Sequence, residues 1–300
     1  MPRTTTARAD RVAGLMLLTT PVIWGLTFPA AKLALKHTNA WTFTAWSRVL
    51  GLLALIAVLA VVRPPRDAWR WGLVPAGALL GFLMFAAFAL QSVGLRSTTA
   101  TNAGFITVLY VVFAPLGAAL VARRRPPRVA AVCLPMALAG LALLSLHGLD
   151  LHRGDALVLA CSIAIAGHIV AVSLFVARYS AIGLAAAQLA ATTVIHTAFA
   201  LPHGLDAGQV AGDWRLYLIT GVLGSGAAFS IQVLAQQQLT PLRTSVLLAG
   251  EALFSALASA VWLGERLDAR EWCGVALMLG AIAVSEAQAW RGAPEPASAA

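Results

Sequence analysis

The chain has 300 residues, of which 60% are hydrophobic and only 11% charged, against roughly a quarter charged in an ordinary soluble domain. A mean hydropathy of +0.82, with apolar stretches of about 18 or more residues recurring along the length, leaves no room for a sizeable soluble domain. The net charge of +9 is carried by arginines in short loops between apolar runs, with no basic face interleaved with aromatics, which argues against a nucleic-acid surface.

After the basic start "MPRTTTARADR", the first apolar run reaches about Leu35 with no small-residue cleavage pattern at its end, so it reads as a retained first span over 12–35. Further membrane helices are predicted at 41–62, 72–95, 99–121, 129–147, 155–177, 182–201, 216–239, 241–263 and 270–287. Short links join them, several marked by Pro and Arg as in "RPPRDAWRW" and "RRRPPR"; "LPHGLDAGQVAGDWR" is the longest, and the tail "GAPEPASAA" reads as disordered. Lys and Arg outside the spans divide thirteen to six in favour of the side that holds the N-terminus, so both termini are expected in the cytoplasm. The preference for arginine over lysine and the abundance of alanine suggest a high-GC bacterium, and hence its cytoplasmic (inner) membrane. Cys133, Cys161 and Cys273 fall in apolar segments without C-x-x-C spacing and read as packing residues.

Sliding the chain on itself by 141 residues brings "AAFALQ" (86–91) onto "AAFSIQ" (227–232), pairing Phe88 with Phe229 and Gln91 with Gln232. The register continues without a gap through Thr99 and Thr240, Phe113 and Phe254, and Arg125 and Arg266. A repeat of this length doubles a structural unit. Each unit holds five spans, and because five is odd the second must enter the membrane with opposite polarity, as in secondary transporters that bind substrate at the midplane between halves. The expected fold is therefore an all-α integral membrane protein of ten transmembrane helices in two inverted five-helix repeats. Its parts are a cytoplasmic tail at 1–11, repeats at 12–147 and 148–287, and a disordered cytoplasmic tail at 288–300.

"WGLTFPAAK" in the first span, "ALQSVGLRSTTATNAGFITVLYVVFAPL" across the third and fourth, and "GEALFSALASAVWLGERL" with "WCGVALMLGAIAVSE" across the ninth and tenth resemble the EamA-type branch of the drug/metabolite transporter superfamily. The resemblance covers nearly the whole chain. It implies two inverted five-helix repeats, cytoplasmic termini and export of small metabolites or amphipathic compounds. The chain departs from the family's common pattern where Ala252, not Pro, follows Glu251, and where Ile165 stands in place of the tryptophan that would match Trp24.

Glu251 lies about ten residues into the ninth span, where an acid costs on the order of 2.5–3.5 kcal/mol to insert. It must be protonated, paired or facing water. Ser255 and Ser259 continue its helical face as a small polar stripe suited to a cavity. Glu251 is read as a protonatable group that couples transport to protons or receives a cationic substrate group; the alternative is a structural acid. Arg48, inside the second span, is read as snorkelling and pairing helices, or else as recognising an anion or serving as charge partner to Glu251. Lys32 is read as snorkelling.

Tyr110 is the repeat-mate of Glu251, Trp24 and His168 sit at similar depth in equivalent spans, and Phe85 and Phe88 lie on the third. Together these predict an aromatic-rich substrate cavity with a few polar groups. Gln91, Asn102, Gln188 and Gln232 are read as interhelical hydrogen-bonding amides, with Gln91 and Gln232 also as polar gate residues. His168 and Cys161, seven residues apart, are too far separated on one helix face for shared chelation, so no metal or other cofactor is expected. His196 reads as a core histidine, and Gly264 as a helix end. Gly77-x-x-x-Gly81 permits close helix contact within the chain or in a homodimer. A secondary transporter of small molecules is the reading these features favour, over a membrane-embedded enzyme or a non-transporting scaffold. No H-E-x-x-H, nucleophile elbow or P-loop is present.

Overall fold

The structure, a computed structural model, describes residues 7–126, 128–145, 153–264 and 268–291. Among these every regular element is helical. In chain order the main helices are α1 (Ala9–Ala34), α2 (Ala40–Val62), α3 (Leu73–Gly94), α4 (Ala100–Val121), α5 (Ala130–Ser145), α6 (Arg153–Phe175), α7 (Ala181–His203), α8 (Trp214–Ala235), α9 (Pro241–Leu263) and α10 (Ala269–Arg291). Eight of the described helices are long and apolar enough to cross a membrane; α5 contributes a shorter apolar stretch and packs along α10. The ends fall within a few residues of those expected, except that α10 runs on to Arg291, which corrects the expected start of the tail at 288. The expected N-terminal tail through Arg8, Glu265, Arg266 and residues 292–300 lie largely or wholly outside what is described.

The distribution of polarity is the reverse of that in a soluble protein. Leu53, Ile56, Val61, Leu120 and Val261 are exposed, Val61 to 83%, whereas Thr20, Ser47, Arg48, Gln188, His196 and Glu251 are buried. An apolar exterior of this extent matches hydrocarbon rather than water. Trp69, Trp71, Trp214, Trp262 and Trp272 are exposed at or near helix ends, where indoles favour the membrane interface. Cys133 and Cys161 are buried as expected, but Cys273 is exposed and does not serve packing.

Packing joins the two halves of the chain throughout. α3 lies against α6 as α1 lies against α8; α1 lies against α9 as α4 lies against α6; α2 meets α8 as α3 meets α7. Each contact thus has a counterpart with the halves exchanged. Small residues make the approaches close enough: a Cβ at Gly81 would come within 2.8 Å of the Gln188 carbonyl oxygen on α7, and one at Gly51 within 2.8 Å of Gly221 on α8. The Gly77-x-x-x-Gly81 face is therefore used within the chain.

Equivalent residues make equivalent helix ends. Thr99 and Thr240 cap α4 and α9, their hydroxyls accepting from Asn102 N (3.0 Å) and Arg243 N (3.3 Å). Arg123 (φ 50°) and Gly264 (φ 71°) close the same helices in the left-handed region. Both helices also break midway. α4 gives way at Val108–Leu109 and α9 at Ala249–Gly250, with i→i−3 bonds such as Val111 N to Val108 O (2.9 Å) and Ala252 N to Ala249 O (3.3 Å). No proline is needed for either break. Tyr110 and Glu251 begin the two second halves.

Candidate functional site

The breaks place a carboxylate in the middle of the bundle. Glu251 is 3% exposed, and its Oε1 has no hydrogen-bond partner among the described residues. It lines a cavity of about 30 Å³ with Trp24, His168, Thr107 and Phe229, drawn from α1, α6, α4 and α8. A second cavity of about 30 Å³ is lined by Arg48, Phe43, Ser92 and Thr220. The two share Trp24, Thr27, Phe28, Phe88 and Gln91. Each has room for a water or two, far below the ~300–1,000 Å³ that encloses a drug-sized ligand.

An aromatic wall separates the charges. Trp24 tilts against Phe229 with ring centroids 4.7 Å apart, Phe88 meets Phe229 edge-on at 5.5 Å, and His168 meets it edge-on at 5.8 Å. The indole Nε1 of Trp24 donates to the Gly224 carbonyl (3.0 Å), which lies within a π-helical stretch of α8 over Leu218–Ala228. π turns are rare and cluster at functional positions. His168 Nε2 and Gln188 Oε1 are 2.9 Å apart, joining α6 to α7 as the interhelical reading of Gln188 requires. Gln91 lines both cavities and donates from Nε2 to Thr107 Oγ1 (3.3 Å).

Several expectations are corrected. Tyr110 is wholly buried beside Glu251 and does not line the cavity. Ser255 does not line the cavity: its hydroxyl donates to Ala100 O (3.3 Å), and its Cβ lies 2.8 Å from where a Gly104 Cβ would sit, so Ser255 seats α9 on α4. Phe85 faces away, in a cluster with His196 (4.9 Å) and Phe199 (4.8 Å). His196 is a core histidine, its Nδ1 hydrogen-bonded to Thr192 O (2.9 Å). Gln232 is buried off the cavity and donates to Gln236 Oε1 (2.9 Å), so it does not mirror Gln91. Asn102 takes part through its backbone in the α4 cap.

Two cations within the spans, Arg48 and Lys32, behave differently from expectation. Arg48 is 4% exposed and does not snorkel; its guanidinium carbon lies 3.8 Å over the centre of the Phe88 ring. It makes no ion pair with Glu251. Lys32 is engaged rather than snorkelling, its Nζ donating to Leu95 O (2.6 Å) and Thr98 O (2.5 Å), while Thr98 Oγ1 donates to Asp155 Oδ1 (2.5 Å). At the opposite end of α1, Asp10 pairs with Arg243. Nearby contacts on that side include Gln236 Nε2 donating to Ser173 Oγ (2.8 Å). Polar ties therefore hold both ends of the bundle.

Sequence reasoning missed Phe28, Thr27, Thr107 and Phe229 as cavity residues. Two signals were present: Phe28 lies four residues from Trp24 on one helix face, and Phe229 is the repeat-mate of Phe88. The Gly221, Gly224 and Gly226 cluster offered a hint of irregular backbone.

The chain matches the EamA-like transporter family twice, over residues 11–146 and 152–286. It is 28% identical over 272 residues to an uncharacterized transporter of Archaeoglobus fulgidus, covering 91% of this chain and 85% of that protein. A crystal structure of a protein 19% identical in sequence superposes with a TM-score of 0.77, over 93% of this chain and 98% of that one, a likeness of fold. The chain belongs to the EamA-like transporter family and is a multi-pass membrane transporter.

Proposed function

We propose that the protein is a secondary transporter that exports small metabolites, amino acids or amphipathic and aromatic compounds by alternating access. It is built as ten transmembrane helices in two inverted five-helix repeats, in a bacterial inner membrane with both termini cytoplasmic. The exchange of packing partners between halves supports the inverted repeat, and the excess of Lys and Arg on the N-terminal side supports the orientation.

The observation that carries the reading is Glu251: a buried acid, with one unpartnered oxygen, on a cavity lined by helices of both halves. An acid so placed is expensive to keep and is by default functional. It takes up and releases a proton as the cavity faces each side in turn, or accepts a donor from the substrate. Ties at both ends of α1, separated by 22 residues or about 33 Å of helix, are the contacts that opening to either side must break.

The test is uptake into proteoliposomes of a mixed metabolite and aromatic-amine library, with and without an inside-acid gradient. Wild-type flux is expected to rise with the gradient. Glu251→Gln, which keeps shape and hydrogen-bonding capacity, is expected to fold and to lose that stimulation. Flux in the mutant that still follows the gradient would remove Glu251 from coupling.

A further inference from the structure

A buried guanidinium without a carboxylate is the least explained group in the bundle. Arg48 stands on α2 with Nε and Nη1 buried and unpartnered, in a cavity whose lining contains no Asp or Glu. Glu251 lines the neighbouring cavity, across the shared Trp24 and Phe88, and the two do not pair. A charge kept in this condition is costly unless something neutralises it. We infer that Arg48 is an oxyanion subsite, and that the compound this transporter carries bears a carboxylate that docks on it. The inference rests on the reading of these cavities as the substrate's path, and deepens it by naming a chemical class.

The geometry favours a carboxylate. Phe88 covers one face of the guanidinium at 3.8 Å, a cation–π contact that uses none of its N–H donors. A guanidinium, unlike an ammonium, carries paired donors in a fork that matches two carboxylate oxygens. Arg48 is the one Lys or Arg on the lining, so the site matches a single negative charge rather than a phosphate dianion. Ser92 shares the same lining and adds a hydroxyl donor to it. Trp24 and Phe28, common to both cavities, offer an apolar surface to the body of the ligand.

The test is binding to the purified full-length protein in detergent, by calorimetry, of 3-phenylpropionate and its uncharged counterpart 3-phenylpropan-1-ol. The acid is expected to bind at least about tenfold more tightly, as a charged hydrogen-bond pair requires. Arg48→Gln is expected to abolish that ratio, and Arg48→Lys to retain part of it, since it keeps the charge but not the fork. Arg48→Met, which removes an unpaired buried charge, is expected to melt at a higher temperature than wild type without ligand, so that lost binding is not mistaken for unfolding. Equal affinities for acid and alcohol in the wild type, no binding of the acid, or a ratio that survives in Arg48→Gln would each overturn the subsite; the wild-type comparison needs no variant to fold. The measurement contains no gradient and no flux. A carrier that moves only neutral or cationic compounds would fail here while passing the flux test, and a protein that binds the acid but moves nothing would do the reverse.

Discussion

Trp24 joins the two halves through one hydrogen bond and one ring contact. Its indole N–H is satisfied only by the Gly224 carbonyl, and its ring packs on Phe229. Trp24→Phe keeps most of the ring contact but removes this hydrogen bond, a loss of about 0.5–1.5 kcal/mol. Thermal unfolding in detergent is expected to show a lower midpoint than wild type; an unchanged midpoint would mean that the π stretch does not depend on this bond. The residues legible in the sequence were those whose chemistry is abnormal for their depth: Glu251, Arg48 and His168 are all at the cavities. Ser255 and Phe85 were misjudged for a common reason. Helical spacing says which side chains share a face but not which neighbour that face meets, and Ser255 meets α4 while Phe85 meets α7. Repeat symmetry pairs Tyr110 with Glu251, but symmetry does not tell whether a side chain reaches a cavity wall, and Tyr110 does not.

At the level of helices, the repeat has a consequence for stability. Arg123 and Gly264 occupy equivalent ends in the left-handed region, where a side chain costs roughly 1–2 kcal/mol that glycine does not incur. Arg123→Gly should therefore stabilise the folded protein by up to about 1 kcal/mol, after the larger entropy of glycine in the unfolded chain is counted. A rise in the unfolding midpoint checks this; a fall would show that the arginine side chain contributes more than its backbone strain removes. Helix positions were legible because a long apolar run with short polar links has few alternative foldings in a membrane. The midway breaks in α4 and α9 were not, because neither carries a proline at the break. The π stretch was equally hidden. α3 and α8 have equal length and ungapped correspondence, yet only α8 departs from the α-helix, around the close approach of Gly221 and Gly51.

Across the whole molecule, the arrangement is a polar seam inside an apolar shell. Two halves meet along helices that exchange partners, two small cavities lie at the crossing, and ties near Lys32 and Asp10 hold the opposite ends. The alternating access proposed above requires one set of ties to loosen while the other is kept. Gln91 is the residue to watch, since it lines both cavities and sits between the two ends. The decisive measurement is the labelling of a single cysteine introduced by Gln91→Cys, in a chain whose Cys133, Cys161 and Cys273 are replaced by alanine. A membrane-impermeant thiol reagent is applied from one face of the membrane and then, separately, from the other. Alternating access predicts reaction from both faces, each slowed by saturating transported compound. Reaction from one face only, or from neither, would contradict it.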